Sequence, residues 1–197
     1  MTDENLKNIE NENDEKQPRQ SMAENVFEWA QGMVYTIIIF VAMFTFLFRI
    51  VGVEGVSMMP TLNHGDRLVI NRLFYEPRVG DIVVMARDFT YDGFIDDPMI
   101  KRIIALGGQE VYIDYEGRVY IDGEFSAEDY ILTEKIFMFG DYLYPILVPE
   151  GYAFVLGDNR NNSLDSRFEY IGLVDTRAIL GNVILRFHPL DRLGAVN

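Results

Sequence analysis

Between Ala30 and Phe48 the chain carries no charged residue, and the stretch MVYTIIIFVAMFTFLF is almost wholly Ile, Val, Phe, Met and Leu. As a helix, these nineteen residues at about 1.5 Å each span roughly 28 Å, close to the hydrocarbon thickness of a bilayer. Trp29 and Tyr35 lie near one end and Arg49 closes the other, as interfacial anchors do. A core helix buried in protein is the alternative. A cleaved signal sequence fits poorly, because the leader before the run is long and acidic and no small-x-small site follows it. Residues 30–49 therefore predict a single transmembrane helix. Lys7, Lys16 and Arg19 precede it while Arg49, Arg67 and Arg72 follow, so charge counting does not orient it.

The leader, residues 1–29, sets eight acids against three bases and has almost nothing to build a core. Its first twenty or so residues predict a disordered tail, and a polar helix running into the span fits only Ser21 to Trp29. Over all 197 residues, 31 Asp+Glu face 17 Lys+Arg for a net charge of -14. Such a chain repels phosphates and its bases are scattered, which argues against nucleic-acid binding. The absence of cysteine excludes disulfides, zinc-thiolate sites and cysteine nucleophiles. His64 and His188 are the only histidines, too few for a convincing histidine metal site or Ser-His-Asp triad. His64 lies in a turn and His188 precedes Pro189, so both are assigned structural or exposed roles.

Residues 50–197 hold short apolar runs separated by turn residues, which predicts a mainly β domain. The expected strands are 68–71, 81–85, 100–106, 110–114, 118–121, 152–156 and 179–187. The two copies of VYID around Tyr115–Gly117 predict a hairpin. Residues 124–149 look inserted: Phe125, Tyr130, Phe137, Phe139, Tyr142 and Tyr144 fall in a stretch of weak periodicity, expected to form a small aromatic satellite core on a cap. A membrane-facing or substrate-facing surface is the other reading of that segment.

Three segments carry groups with chemical potential. In Gly55-Val56-Ser57-Met58-Met59-Pro60-Thr61-Leu62, Ser57 follows the apolar run closely enough to sit near the membrane surface, although a serine in a connecting loop is unremarkable by itself. Met58 and Met59 have core packing, lipid contact or a groove lining open to them. In Ile100-Lys101-Arg102-Ile103-Ile104, neighbours on a strand point to opposite faces, so with Arg102 toward water Lys101 faces the interior. Burial lowers a lysine pKa, and a neutral amine can take the proton of a serine hydroxyl; a lysine that snorkels or pairs with an acid is the plainer alternative. The third segment, Leu156 to Arg167, holds Asp158, Arg160, Ser163, Asp165 and Arg167. Its two Asp and two Arg are expected to form a short network that locks the loop and presents Ser163 to a neighbouring amine.

GVSMMPTL, GDIVVM at Gly80–Met85, KRIIALGG and LGDNRNNSLDSR, in this order after an N-terminal span, resemble type I signal peptidases, and IGLVDTRAILGNVILRF resembles that family's closing strand. The resemblance implies a membrane-anchored serine endopeptidase with a Ser/Lys dyad on a mostly β, signal-peptidase-like fold, here 50–197. Ser57 is then the nucleophile and Lys101 the general base. Ser163 orients Lys101 by hydrogen bonding, Asp158, Arg160, Asp165 and Arg167 hold the loop, and Arg102 is structural. The Ser57 backbone N–H is the implied oxyanion donor, while Gly55, where some members have a hydroxyl residue, leaves the second donor undefined. Implied partners are the lipid bilayer and preproteins with an Ala-x-Ala signal-peptide site, and no metal or other cofactor. The implied location is the cell membrane, with the catalytic domain on the extracytoplasmic side. An inactive anchored domain that only binds secreted proteins, or a Ser/Lys maturation peptidase with one dedicated substrate, are the rival readings.

Overall fold

The apolar run folds as a helix that begins earlier and ends sooner than its lack of charge predicts. The structure, a computed structural model, describes residues 22–73, 75–86, 98–132, 140–141 and 144–196. Helix α1 is Met22–Leu47, and its Asn25–Thr45 portion is long and apolar enough to cross a bilayer. The helix therefore takes in the last residues of the polar leader, 22–29, before the apolar run begins. Every α1 side chain described is exposed, although most are apolar, as a helix solvated by lipid requires. The predicted tail through residue 21 lies outside the described residues.

Phe48 and Arg49 do not end the helix as the sequence predicts. They open strand β1, Phe48–Gly52, which pairs antiparallel with β2, Arg67–Asn71. β-Branched Ile50 and Val51 favour an extended backbone, and the ladder with β2 satisfies their peptide groups.

The chain divides into two compact units, Met1–Phe44 and Thr45–Asn197. The second unit is mainly β. Its larger sheet also contains β3 (Ile82–Met85), β4 (Met99–Leu106), β9 (Tyr152–Leu156), β10 (Val174–Asp175), β11 (Ile179–His188) and β12 (Gly194–Ala195). The order is β1-β2-β11-β3-β4-β9-β10, with β12 added to β11, and every pair is antiparallel. All seven predicted strands are present, with ends shifted by a residue or so. In β3, Ile82 and Val84 enter one apolar cluster while Val83 and Met85 enter another, so the strand is covered on both faces. Double coverage explains why IVVM reads as an unbroken apolar run rather than an alternation.

The smaller sheet has the order β7-β6-β5-β8, from Glu124–Phe125, Val119–Ile121, Glu110–Ile113 and Ile146–Leu147. The expected hairpin is β5–β6. Asp114 Oδ1 accepts from the N–H groups of Glu116 and Arg118, and Gly117 supplies the positive φ of 79° that the turn needs. Both ends of the 124–149 segment are stitched into this sheet as β7 and β8. Its described aromatics do not gather into one satellite core: Phe125 meets Tyr120 on the outer face, Tyr144 packs beneath the sheet, and Tyr130 lies over Arg102. Phe137, Phe139 and Tyr142 lie outside the described residues.

Candidate active site

The loop after β1 is fixed by its apolar residues. Met58 and Leu62 are buried in the core cluster that contains Leu68, Ile70, Ile82 and Ile100, which settles Met58 as core packing at the edge of a cleft. Buried Asp66 braces the far side of the loop by accepting from the Asn63 N–H and from Arg192 of the chain's last turn. Arg186 of β11 donates to the Thr61 carbonyl at 2.9 Å. His64 is exposed, and its Nδ1 accepts the Gly55 N–H at 3.2 Å, a structural role. Gly55 has a φ of 85°, and its N–H is thereby engaged by the imidazole.

This scaffold sets Ser57 Oγ 2.9 Å from Lys101 Nζ of β4. Lys101 is 3% exposed, and burial pulls its pKa down to about 8. Asp165 opposes that pull, Arg167 adds to it, and Asp158 opposes it more weakly. Arg102 does not face water, the condition on which the sequence turns Lys101 inward: it is 2% exposed as well. Alternation along β4 does turn the two side chains apart, but loop and cap residues cover the Arg102 side, and a guanidinium is buried there only because it is fully engaged. It makes a bidentate pair with Asp158 at 2.9 and 2.8 Å, donates to the Gly80 carbonyl, and lies 4.0 Å from the Tyr130 ring centroid.

The 156–167 loop is locked, but not by the closed local network expected of it. Only Asp165 and Arg167 pair within the loop, at 2.8 Å. Asp158 reaches β4, and Arg160 pairs with Glu128 of the 124–149 segment. Arg167 also donates to the Arg160 carbonyl, and Asp165 accepts the Gly157 N–H. The loop in turn grips the segment that carries Ser57: Asn159 N–H donates to the Ser57 carbonyl at 2.9 Å, Asn159 Nδ2 donates to the Val56 carbonyl, and Thr61 donates to Asp158. Thr61, Glu128 and Asn159 were given no role by the sequence. Thr61 and Asn159 sit inside the quoted motifs, whereas nothing near Glu128 signals a partner 32 positions away.

The expected hydrogen bond from Ser163 to Lys101 is not made. Ser163 Oγ is buried without a hydrogen-bond partner among the described residues and packs against Gly157. A Cβ at Gly157 would collide with Ser163 Oγ and come within 2.5 Å of the Ser57 carbonyl oxygen. Gly157→Ala is therefore expected to displace Ser57 and to lower turnover about a hundredfold while leaving the chain folded, checked by steady-state kinetics beside circular dichroism.

Beside the Ser57–Lys101 contact lies an open cleft of about 300 Å³, walled by residues 51–55 and 98–101 with Ser57 and Met58 at its end. β1 is at the edge of its sheet, so its outer backbone groups face no strand among the described residues. A serine hydroxyl against a buried lysine amine, beside a cleft with a free strand edge, has the make-up of a peptidase site that works without histidine. The family model described as signal peptidase, peptidase S26, matches residues 26–188. A protein of Synechocystis sp. designated "Probable signal peptidase I-2" is 37% identical over 89% of this chain and 80% of its own length. The signal peptidase I of Bacillus licheniformis is 32% identical over 86% of this chain and 92% of its own length. A solved signal peptidase I from Enterococcus faecalis V583 is 29% identical and aligns with 55% of this chain and 97% of that one, with a TM-score of 0.42. On the family model and the relatives, the chain belongs to the signal peptidase family, peptidase S26, as a type I signal peptidase. That membership makes it a serine endopeptidase.

Proposed function

We propose that this signal peptidase removes signal peptides from preproteins by a Ser57/Lys101 dyad. The observation that carries the reading is the 2.9 Å contact between Ser57 Oγ and a lysine that is buried and has its pKa lowered. Once Lys101 is neutral, its lone pair accepts the hydroxyl proton of Ser57. Oγ then attacks the carbonyl carbon of the residue before the scissile bond. The tetrahedral oxyanion forms beside the Ser57 backbone N–H, the proposed donor. Its collapse breaks the C–N bond, and the proton held on Nζ passes to the leaving amine. Water, deprotonated by the same amine, hydrolyses the acyl-enzyme and restores the serine. Ser163 is proposed to steady Lys101 during these transfers, since its hydroxyl is buried against Gly157, which also adjoins the Ser57 carbonyl, and has no hydrogen-bond partner among the described residues.

The substrate is proposed to lie as an added strand along β1, with small residues at the first and third positions before the bond facing the narrow cleft. Helix α1 would hold enzyme and signal peptide in one bilayer, the cell membrane, with the catalytic unit outside, which raises their effective concentration. The test uses the full chain in detergent with a preprotein bearing an Ala-x-Ala site, beside Ser57→Ala, followed by N-terminal sequencing of the product. Cleavage after the second Ala by the intact chain alone is expected, at a rate that climbs through a pH of about 8 as Lys101 loses its proton. A rate that stays flat from mildly acidic to alkaline pH sinks the lysine base. Stable preprotein binding without cleavage sinks the peptidase reading.

A further inference from the structure

We infer that Glu54 gives the cleft a charge preference, favouring substrates with a basic side chain at the residue between the two small ones that precede the scissile bond. The inference rests on the peptidase reading above. The described lining of the cleft carries two charged groups, Lys101 and Glu54. Lys101 is buried and hydrogen-bonded to Ser57. Glu54 is exposed, and its carboxylate has no ion pair or hydrogen bond among the described residues. The remaining lining is apolar or neutral, with Val51, Val53, Met99 and Ile100 prominent in it.

Position follows from the alternation of burial along the end of β1 and the two residues after it. Along 51–54, Val51 is half-buried and Val53 buried, whereas Gly52 and Glu54 are exposed, so the wall alternates between floor and rim. A substrate strand beside it has the same period of two. Its last and third-last residues before the bond face the floor, and the residue between them points outward along the rim that carries Glu54. A carboxylate there attracts a lysine and repels a glutamate. At an exposed rim each effect is worth a factor of about two to five, so the two substrates should differ about fivefold to twentyfold in kcat/KM.

The experiment uses the full chain in neutral detergent at low salt with three preproteins that differ only in the site, Ala-Lys-Ala, Ala-Gln-Ala and Ala-Glu-Ala. The expected order is Lys above Gln above Glu, compressed at about 0.5 M salt. Glu54→Gln should shrink the spread to less than about twofold relative to its own Gln substrate, and Glu54→Lys should reverse it. Equal processing of all three by the intact chain overturns the assignment, as does an order that survives Glu54→Lys. Failure of the intact chain to cut even the Ala-Gln-Ala preprotein overturns the peptidase reading and this inference with it.

Discussion

Lys101→Met is expected to lower cleavage by about three orders of magnitude and, near neutral pH, to make the folded chain more stable. The two effects share one cause. In the unfolded chain Lys101 keeps its ordinary pKa of 10.5, while burial brings it to about 8 in the folded state. Between those values the unfolded chain binds a proton that the folded chain has released, so wild-type stability rises with pH across that window. Below about 8 both states are protonated and the whole cost of enclosing an ammonium is present. At 1.36 kcal/mol per unit, that cost is about 3 kcal/mol. Methionine has similar length and no charge, so the variant escapes the cost. Urea denaturation of both proteins in detergent should show its advantage in full at pH 7, smaller at pH 9 and nearly gone near pH 11. A variant less stable than wild type at pH 7 would mean that the Lys101 charge is stabilised in place, and the neutral-base mechanism would fail with it.

The sequence made the proposed Ser57–Lys101 pair legible and its supports only partly so. Lys101 could be placed because a base amid Ile100, Ile103 and Ile104 on a strand must face a covered side or a wet one. The burial of its neighbour was not legible, since alternation says that two side chains diverge and nothing about what covers each. Tyr130 and Asp158 cover Arg102 from segments far along the chain. The 156–167 loop illustrates the same limit. Its density of Asp and Arg announces ion pairs, yet proximity in sequence favours Asp158 with Arg160, whereas the fold gives each a distant partner. Strand β1 was hidden for another reason: Ile50 and Val51 continue an apolar run, and hydrophobicity alone does not separate a lipid-solvated helix from an edge strand when no turn residue stands between them. The strands of two residues, β7, β8, β10 and β12, are too short to generate a pattern, and exist because a longer neighbour offers them a ladder.

Removing one member of the Arg102–Asp158 pair should cost more stability than any other single change in the site. Asp158→Ala leaves a guanidinium, 2% exposed, without the carboxylate that holds it by two hydrogen bonds, and an uncompensated buried charge costs about 3–5 kcal/mol. Urea denaturation should place the midpoint of Asp158→Ala well below that of wild type, and an unchanged midpoint would show that water reaches Arg102. The double variant Arg102→Met/Asp158→Leu separates burial of charge from placement of the loop. Without either charge, apolar packing should recover most of the stability. Activity should not return with it, because Asp158 also accepts the Thr61 hydroxyl, and the adjacent Asn159 holds the Ser57 carbonyl. A leucine at 158 cannot accept from Thr61, so the segment carrying Ser57 loses one of its ties to the loop that frames Lys101. A stable double variant with wild-type turnover would reduce the pair to a structural fixture; a stable one with turnover depressed about a hundredfold would make Asp158 a positioning residue for the nucleophile.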